Sequence, residues 1–453
     1  MSISLAFISL GCDKNLVDSE VMLGICQKAG LEVISDESKA DIIVVNTCCF
    51  IQDALEESIE TIVEVGEYKK TGRCRGILVT GCLGQRYQQE LFQEMPEVDA
   101  ILGTASYEQV AKAAKRVYAG ENFAVLDDIH SPMADESHAL DRVLSTAGHY
   151  AYLKIAEGCD NHCTYCVIPS LRGKFRSRHL ESLLEEAKRL AQQGVQELIL
   201  VAQDTALYGK DLYGQCQLPA LLHGLCAIEG IRWVRLLYCY PEHLTEETIA
   251  AMAAEPKVCH YIDMPIQHGD DRVLKRMGRK NTAKLMQKKI ASLRQAMPDI
   301  AIRTTLITGF PGETEEEFSS CLAFIQKMRF DRLGVFTYSQ EEGTPAARME
   351  GQIDEEVKAE RKDRLMAAQQ AISQQICEGF VGKEMEVLIE GKIPEDGVYC
   401  GRSYRDAPEI DGFVFVQSDR EHLTGDMVTV QITAATEYDL YGKEREDGTE
   451  FAQ

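Results

Sequence analysis

The sequence predicts an α/β chain in three parts: an N-terminal domain on a parallel sheet, a central open (β/α) barrel, and a small C-terminal antiparallel β-barrel. Three observations predict it. Short β-branched apolar runs alternate with amphipathic helical periodicity through about residue 375, and in the first third three such runs rhyme, each ending in a cysteine. From about residue 376 the texture changes to short alternating runs separated by turns containing Gly and Asp.

In the first domain, about residues 1–145, the rhyming runs are ISLAFISLGC ending at Cys12, ADIIVVNTC ending at Cys48 and RGILVTGC ending at Cys82. Each is followed by helical periodicity, in VDSEVMLGICQKAG, ALEESIETIVEVGEYKK and QRYQQELFQEM. Strands alternating with helices make a parallel sheet with right-handed crossovers, whose strand C-termini share one edge where ligands bind. Cysteines far apart in sequence therefore converge there as a three-thiolate site, with an iron–sulfur cluster its natural occupant. Buried free cysteine is common, and Cys26 and Cys74 read that way. Cys49 beside Cys48 is ambiguous; alternation points the two to opposite faces, and Cys48 matches its rhyming partners.

The central domain, about residues 146–375, is organised around Gly158–Arg178, GCDNHCTYCVIPSLRGKFRSR. Cys159, Cys163 and Cys166 follow C-x3-C-x2-C, and the next cysteine is Cys216. A structural zinc is normally closed by four protein ligands, and His162 would be cramped as the fourth. A four-iron cluster on three thiolates keeps one iron open for a small molecule. The spacing therefore favours a cluster over zinc or three unligated cysteines. AYLKIAEGC, QELILVAQDT, RWVRLLYCYP, YIDMPIQHG, AIRTTLITGFPG and RLGVFTYSQ are strand candidates, giving about six β/α units whose site lies at the strand C-termini. Gln203 and Asp204, Gln267 and His268, and Gly309 and Glu313 follow those strands as candidate ligand contacts. A lone His268 reads as structural more readily than catalytic. Arg172, Lys174, Arg176 and Arg178 form a basic run that is either a solvated loop or a counter-charge for the cluster or a ligand carboxylate. GFPGET lacks the Lys–Ser/Thr of a phosphate-cradling loop. Cys216, Cys226, Cys239, Cys259 and Cys321 have no ligand-like spacing and read as packing residues.

The last part, residues 376–453, follows a long charged helix, DEEVKAERKDRLMAAQQAISQQI. MEVLIEG, GVYCGRS, GFVFVQS and DMVTVQITAAT are its expected strands.

With 45% hydrophobic and 26% charged residues the chain has the composition of a globular protein with a large core. No apolar run approaches a membrane span, and MSISLAFISLGC reads as a strand and not a signal peptide, so the expectation is cytoplasmic. Sixteen cysteines without an export signal then argue for thiols and metal ligands instead of disulfides. A formal net charge of −24 makes a poor nucleic-acid surface and suits a basic partner.

The cysteine motif Cys159/Cys163/Cys166 resembles that of the radical S-adenosylmethionine (SAM) superfamily. GCDKNLVDSE, NTC and GCL ahead of it resemble the methylthiotransferase family, over essentially the entire chain. The resemblance implies an auxiliary [4Fe–4S] cluster on Cys12, Cys48 and Cys82, a second [4Fe–4S] cluster on Cys159, Cys163 and Cys166 whose open iron binds SAM, and a C-terminal TRAM domain. It also implies SAM contacts at strand ends, for which Gln203, Asp204, Gly309 and Glu313 are the candidates. One SAM would methylate a sulfur carried by the auxiliary cluster. A second would be cut to a radical that takes hydrogen from the substrate carbon, which then accepts the methylthio group.

Charge chooses between two branches of that family. From Gln375 to Gln453 there are 18 acidic against 7 basic residues, a balance that repels a phosphate backbone. The loop RSYRDAPEIDG adds Asp406, Glu409 and Asp411. DAPEIDG with GCDKNLVDSE resembles the branch that modifies an aspartate β-carbon of a basic small-subunit ribosomal protein, free or within the assembled subunit. The rivals are a tRNA-adenosine methylthiotransferase and a non-catalytic iron–sulfur carrier or scaffold. An outside electron donor is implied for the enzyme. No catalytic acid or base is legible.

Overall fold

The computed structural model describes residues 3–132, 139, 141–394 and 397–445. In the N-terminal part, β1 (Ser4–Ser9), β2 (Glu32–Val33), β3 (Ile42–Thr47), β4 (Gly76–Gly81), β5 (Val98–Leu102) and β6 (Phe123–Val125) form one parallel sheet in the order β2-β1-β3-β4-β5-β6. The three rhyming runs are β1, β3 and β4, adjacent at the centre. β3 and β4 are buried along their whole length, as a sheet covered on both faces requires.

The central part is a second parallel sheet, with β7 (Tyr150–Lys154), β10 (Glu197–Val201), β11 (Trp233–Leu236), β12 (Val258–Asp263), β13 (Ala301–Thr308) and β14 (Arg332–Thr337) paired in that order. A short hairpin, β8 (Ala156–Glu157) with β9 (Arg176–Ser177), brackets the cysteine motif. β7 and β14 do not pair with each other, so the barrel is open. Side chains alternate between its faces. Leu198, Leu200, Val234, Leu236, Ile262, Leu306 and Val335 pack under the helices. Ile199, Val201, Trp233, Tyr261 and Ala301 pack on the other face, together with Val17 from the first domain and Leu388 and Ala407 from the third. Both flanking domains thus close on the helix-free face of the central sheet.

Helix Glu355–Glu378 leads into a closed barrel of β15 (Glu384–Ile393), β16 (Val398–Arg402), β17 (Val414–Gln417), β18 (Met427–Ala435) and β19 (Leu440–Glu444), in the order β15-β16-β17-β19-β18. The four expected strands are present, and LYGKE supplies the fifth. Its pairing with β17 is parallel, while the other pairs are antiparallel.

The acidic loop after β16 faces inward, which corrects the expectation that its charges meet a partner. Asp406 bonds Arg332, and Asp411 accepts from Tyr261 Oη at 2.7 Å and pairs with Arg303 at 3.6 Å. Asp406 is 2% exposed. Of the three acids only Glu409 lies exposed, and it accepts from Tyr150 Oη at 3.3 Å. No helix among the described residues is long and apolar enough to cross a membrane.

Candidate active site and metal centres

Cys12, Cys48 and Cys82 leave the C-terminal ends of adjacent strands, and glycine brings them together. Gly11 and Gly81 both have φ of +88°. A Cβ on Gly11 would lie 2.6 Å from Cys48 Cβ and 3.1 Å from its Sγ. Only glycine takes this turn and leaves that space. Cys12 is the N-cap of helix Asp13–Lys28 and Cys82 the first residue of helix Cys82–Glu94. Both side chains therefore stand at helix N-termini. Ser58 clamps the third. Cys48 N–H donates to Ser58 Oγ at 3.1 Å, and that hydroxyl donates to Cys48 O at 2.8 Å. Asn15 Nδ2 donates to the carbonyls of Leu10 and Thr47 at 3.0 Å each, and Thr47 Oγ1 to Thr80 O at 2.6 Å, sewing the three strand ends into one unit. Cys49 instead packs in the apolar core with Ile43, Ile62 and Leu83.

Burial, helped by Cys82 and Cys12, pushes the Cys48 thiol up to about 12. Cys82 is raised too, by burial against the pull of Arg172. Such thiols keep their protons at neutral pH until a metal takes the proton's place. Among the described residues no three Cys, His, Asp or Glu side chains are set to grip a single ion. A four-iron cluster gives each sulfur its own iron, so its ligands need not converge on one point, and an all-sulfur donor set is the one such clusters use.

The second trio lies on a loop pinned from several sides. Gly158 has φ of +80°, and a Cβ there would lie 2.1 Å from Lys174 O. Cys159 N–H donates to Gly173 O at 3.0 Å, and Thr164 N–H to Met277 O at 2.9 Å. Asn161 N–H reaches Cys159 Sγ at 3.4 Å, while Asn161 Nδ2 donates to Asp204 Oδ2 at 3.2 Å. Asp204 is fully buried and also bonds His243 Nδ1 at 2.6 Å. Burial lifts the thiols of Cys159 to about 11 and Cys166 to about 12. His162 turns outward and is exposed, lining a cavity of about 520 Å³ with Cys163, Cys166, Arg86, Tyr87 and Thr344.

The strand ends of the central sheet hold buried polar atoms with no partner among the described residues: Gln203 Oε1, Asp204 Oδ1, Gln267 Oε1 and Thr308 Oγ1. Orphans of this kind are rare in a finished core. Four at one edge of one sheet, beside the cysteine loop, form a set of acceptors suited to an ammonium, ribose hydroxyls and an exocyclic amine. Two non-glycine residues at strand ends, Tyr238 and Gln267, take positive φ of 57° and 69°, strain of the kind found at functional sites.

Glu313 has a different place. Its Oε2 accepts from the N–H groups of Gly309 at 3.0 Å and Phe310 at 3.3 Å, and its Oε1 accepts from Arg361 at 2.9 Å. It shapes the GFPG turn and leaves Gly309 to offer backbone. His268 is structural, accepting from Asp270 N–H at 3.0 Å, and pairs with Glu313 at 3.5 Å. The basic run is no solvated loop. Arg172 and Arg178 are buried, Arg178 against Glu186 at 2.6 Å, and Lys174 alone of the four is exposed.

Side chains beside the two cysteine trios bond one another across the seam between domains. Tyr238 Oη, at the end of β11, donates to Asp13 Oδ2 at 3.1 Å, next to Cys12. Lys14 Nζ sits 3.4 Å over the Tyr238 ring. Arg172 Nη1 donates to Asp18 at 2.8 Å and to Glu157 at 3.0 Å, and Glu157 Oε1 accepts from Gln203 Nε2 at 2.6 Å. The sequence reading missed Asp13, Asn15, Asp18, Glu157 and Tyr238. The signal available for the helical three was their spacing from Cys12, which sets Asn15 and Asp18 on one helix face.

Comparison with known proteins identifies three regions of the chain. Residues 4–103 match uncharacterized protein family UPF0004, residues 153–325 the radical SAM superfamily, and residues 381–444 the TRAM domain. The chain is 55% identical to the ribosomal protein uS12 methylthiotransferase RimO of Lachnoclostridium phytofermentans, over 96% of this chain and 98% of that one. Against the protein of that name from Pelotomaculum thermopropionicum it is 52% identical, over 98% and 99%. Among solved structures, the radical SAM methyltransferase TsrM of Kitasatospora setae superposes with a TM-score of 0.59 at 14% identity, covering 83% of this chain and 90% of that one. At that identity the likeness is one of fold.

Proposed function

Because the chain belongs to the ribosomal protein uS12 methylthiotransferase (RimO) family, we propose that it inserts a methylthio group at the β-carbon of an aspartate in uS12. It is a radical SAM enzyme using SAM and [4Fe–4S] clusters. Cys159, Cys163 and Cys166 hold the cluster that binds SAM, and Cys12, Cys48 and Cys82 the auxiliary one. The working units are residues 1–145, 146–375 and 376–453. When bound, SAM and the two clusters supply the radical and sulfur chemistry.

The protein's own residues position and shield. Asp204, through Asn161 and His243, fixes the cysteine loop against β10. Gln203, Asp204, Gln267, Thr308 and the Gly309 backbone receive SAM's donors, with Glu313 holding that backbone in shape. Tyr238 and Arg172 hold the two trios across one seam, so one substrate carbon reaches both without diffusing between them. The observation that supports the reading is the seam itself: Tyr238 and Arg172 of the central domain bond Asp13 and Asp18 on the helix that Cys12 caps.

The substrate is protein and not tRNA on electrostatic grounds, since a chain of net charge −24 repels a phosphate backbone. The repulsion comes from the chain's charge as a whole, because Asp406 and Asp411 bond Arg332 and Tyr261 inside the fold. An outside electron donor supplies the reducing equivalents, and a ribosomal substrate sets the site of action in the cytoplasm, on free uS12 or the assembled subunit. Anaerobic incubation of the reconstituted protein with SAM and dithionite, in the presence of uS12 or tRNA, tests this by mass spectrometry. The expected product is a methylthio gain on uS12. A gain on tRNA alone, or deoxyadenosine without either product, would reverse it.

A further inference from the structure

Arg172 belongs to the central domain, six residues past Cys166, yet most of its bonds reach toward the other cysteine site. It is 3% exposed. Nη1 donates to Asp18 and Glu157, and Nη2 to Asn15. Asn15 and Asp18 lie on the helix that Cys12 caps, and Asn15 also ties the β1 and β3 ends that present Cys12 and Cys48. On the other side Glu157 precedes the Gly158–Cys159 turn and accepts from Gln203 at 2.6 Å and from Lys154 at 2.9 Å. One guanidinium therefore touches the scaffold of both trios and, at one remove, a strand-end acceptor.

The local charges are close to balanced: Asp18 and Glu157 against Arg172 and Lys154, all buried. Structure alone needs no such tetrad, since buried ion pairs contribute little net stability over well-packed apolar groups. The group becomes useful when a further negative charge sits beside it. Three thiolates on a cluster supply that charge, and Arg172 is the cation bonded to the helix that Cys12 caps and to the Asn15 that ties the strand ends beside Cys12 and Cys48.

We propose that Arg172 is a positioning residue that sets the electrostatics of the N-terminal trio: a fixed positive charge, donated by the neighbouring domain, that stabilises the reduced state of a cluster held by Cys12, Cys48 and Cys82. The proposal rests on the assignment of that cluster above. Removing the charge disfavours the added electron, so the midpoint potential falls. Replacing it by lysine keeps the sign but loses the fork that reaches Asn15, Asp18 and Glu157 together.

The test uses the full chain with Cys159, Cys163 and Cys166 changed to Ala, reconstituted so that only the N-terminal trio can bind iron, and titrated potentiometrically with detection by electron paramagnetic resonance. In this background Arg172→Met is expected to make one-electron reduction at least tenfold less favourable, a fall of about 59 mV. Arg172→Lys is expected to recover at least half of that fall. Arg178→Met, which removes a buried arginine paired with Glu186 on the same segment, is expected to leave the potential unchanged and controls for packing damage. An unmoved potential in Arg172→Met with iron content intact overturns the proposal. If Arg172→Met holds no iron, the lysine variant decides: a parental potential in Arg172→Lys supports a charge role, and loss of iron there too reduces Arg172 to scaffolding and overturns it. If the parent background itself binds no iron, the cluster assignment fails, and this proposal with it.

Discussion

Glu197 opens β10 at the point where the central sheet meets the C-terminal barrel, and it offers a quantitative test of how those domains are joined. Its carboxylate is 0% exposed, accepting from Arg235 Nε at 2.6 Å and from Arg402 Nη2, on β16, at 2.8 Å. Burial pushes the carboxyl up, but Arg235 and Arg402 outweigh burial and hold it at about 2, against 4.5 for a free glutamate. A depressed carboxylate contributes stability that is present above the unfolded value and lost as pH falls through the folded one. The difference between the folded and free values corresponds to roughly 3 kcal/mol at neutral pH. By the same linkage the contribution falls to roughly 1 kcal/mol at pH 3. Glu197→Gln keeps the shape and removes the charge, leaving two buried guanidinium groups facing each other. The chain's single tryptophan, Trp233, lies at this junction with the Arg235 guanidinium 5.9 Å from its ring centre, so its fluorescence reports locally. Urea titrations of parent and variant at pH 7 and pH 3 should show a stability difference that shrinks by about 2 kcal/mol on acidification. Cluster loss in acid affects both proteins and cancels. A difference that stays constant with pH, or is absent at pH 7, would refute the reasoning.

Two further outcomes follow from the cysteine sites. Asp204→Ala removes the acceptor of both Asn161 and His243, so the loop of Cys159–Cys166 loses its support; with the N-terminal cysteines changed to Ala, iron affinity should drop about 10- to 100-fold, read by iron content after dialysis against a graded chelator. Gly11→Ala places a methyl group 2.6 Å from Cys48 Cβ at a φ of +88°, so iron should fall from about eight to about four per chain while SAM cleavage to deoxyadenosine under dithionite persists.

What could be read from sequence and what could not divide along a physical line. β1, β3 and β4 were legible because a buried parallel strand must be a continuous apolar run, and a strand ending in Gly-Cys announces its turn. The central strands and the long helix at residues 355–378 were legible for the same reason of period. LYGKE was not: five residues with one apolar anchor are a strand only because β17 and β18 flank them. Charge was legible as a sum but not as a partner. Asp406 and Asp411 counted as acidic surface, and only the fold brings Arg332 and Arg303 to them from far upstream. For Arg172 the sequence left two readings open, a solvated loop or a counter-charge, and only the fold shows Asp18 and Glu157 closing over it. Glu313 stood out because it follows a strand; the turn's N–H groups on its Oε2 and the Arg361 guanidinium, from a helix far downstream, on its Oε1 were not legible.

The loop between β16 and β17 has a mechanical consequence. Because Ala407, Asp406 and Asp411 lodge against the helix-free face of the central sheet, the C-terminal barrel is keyed into the same body that holds the cysteine loop and cannot swing as an arm on a tether. A protein gripped by the barrel's outer surface would be delivered at one fixed distance and angle from the reactive centre, so reach along the substrate chain, and not the chemistry of the acceptor alone, would decide which residue is altered.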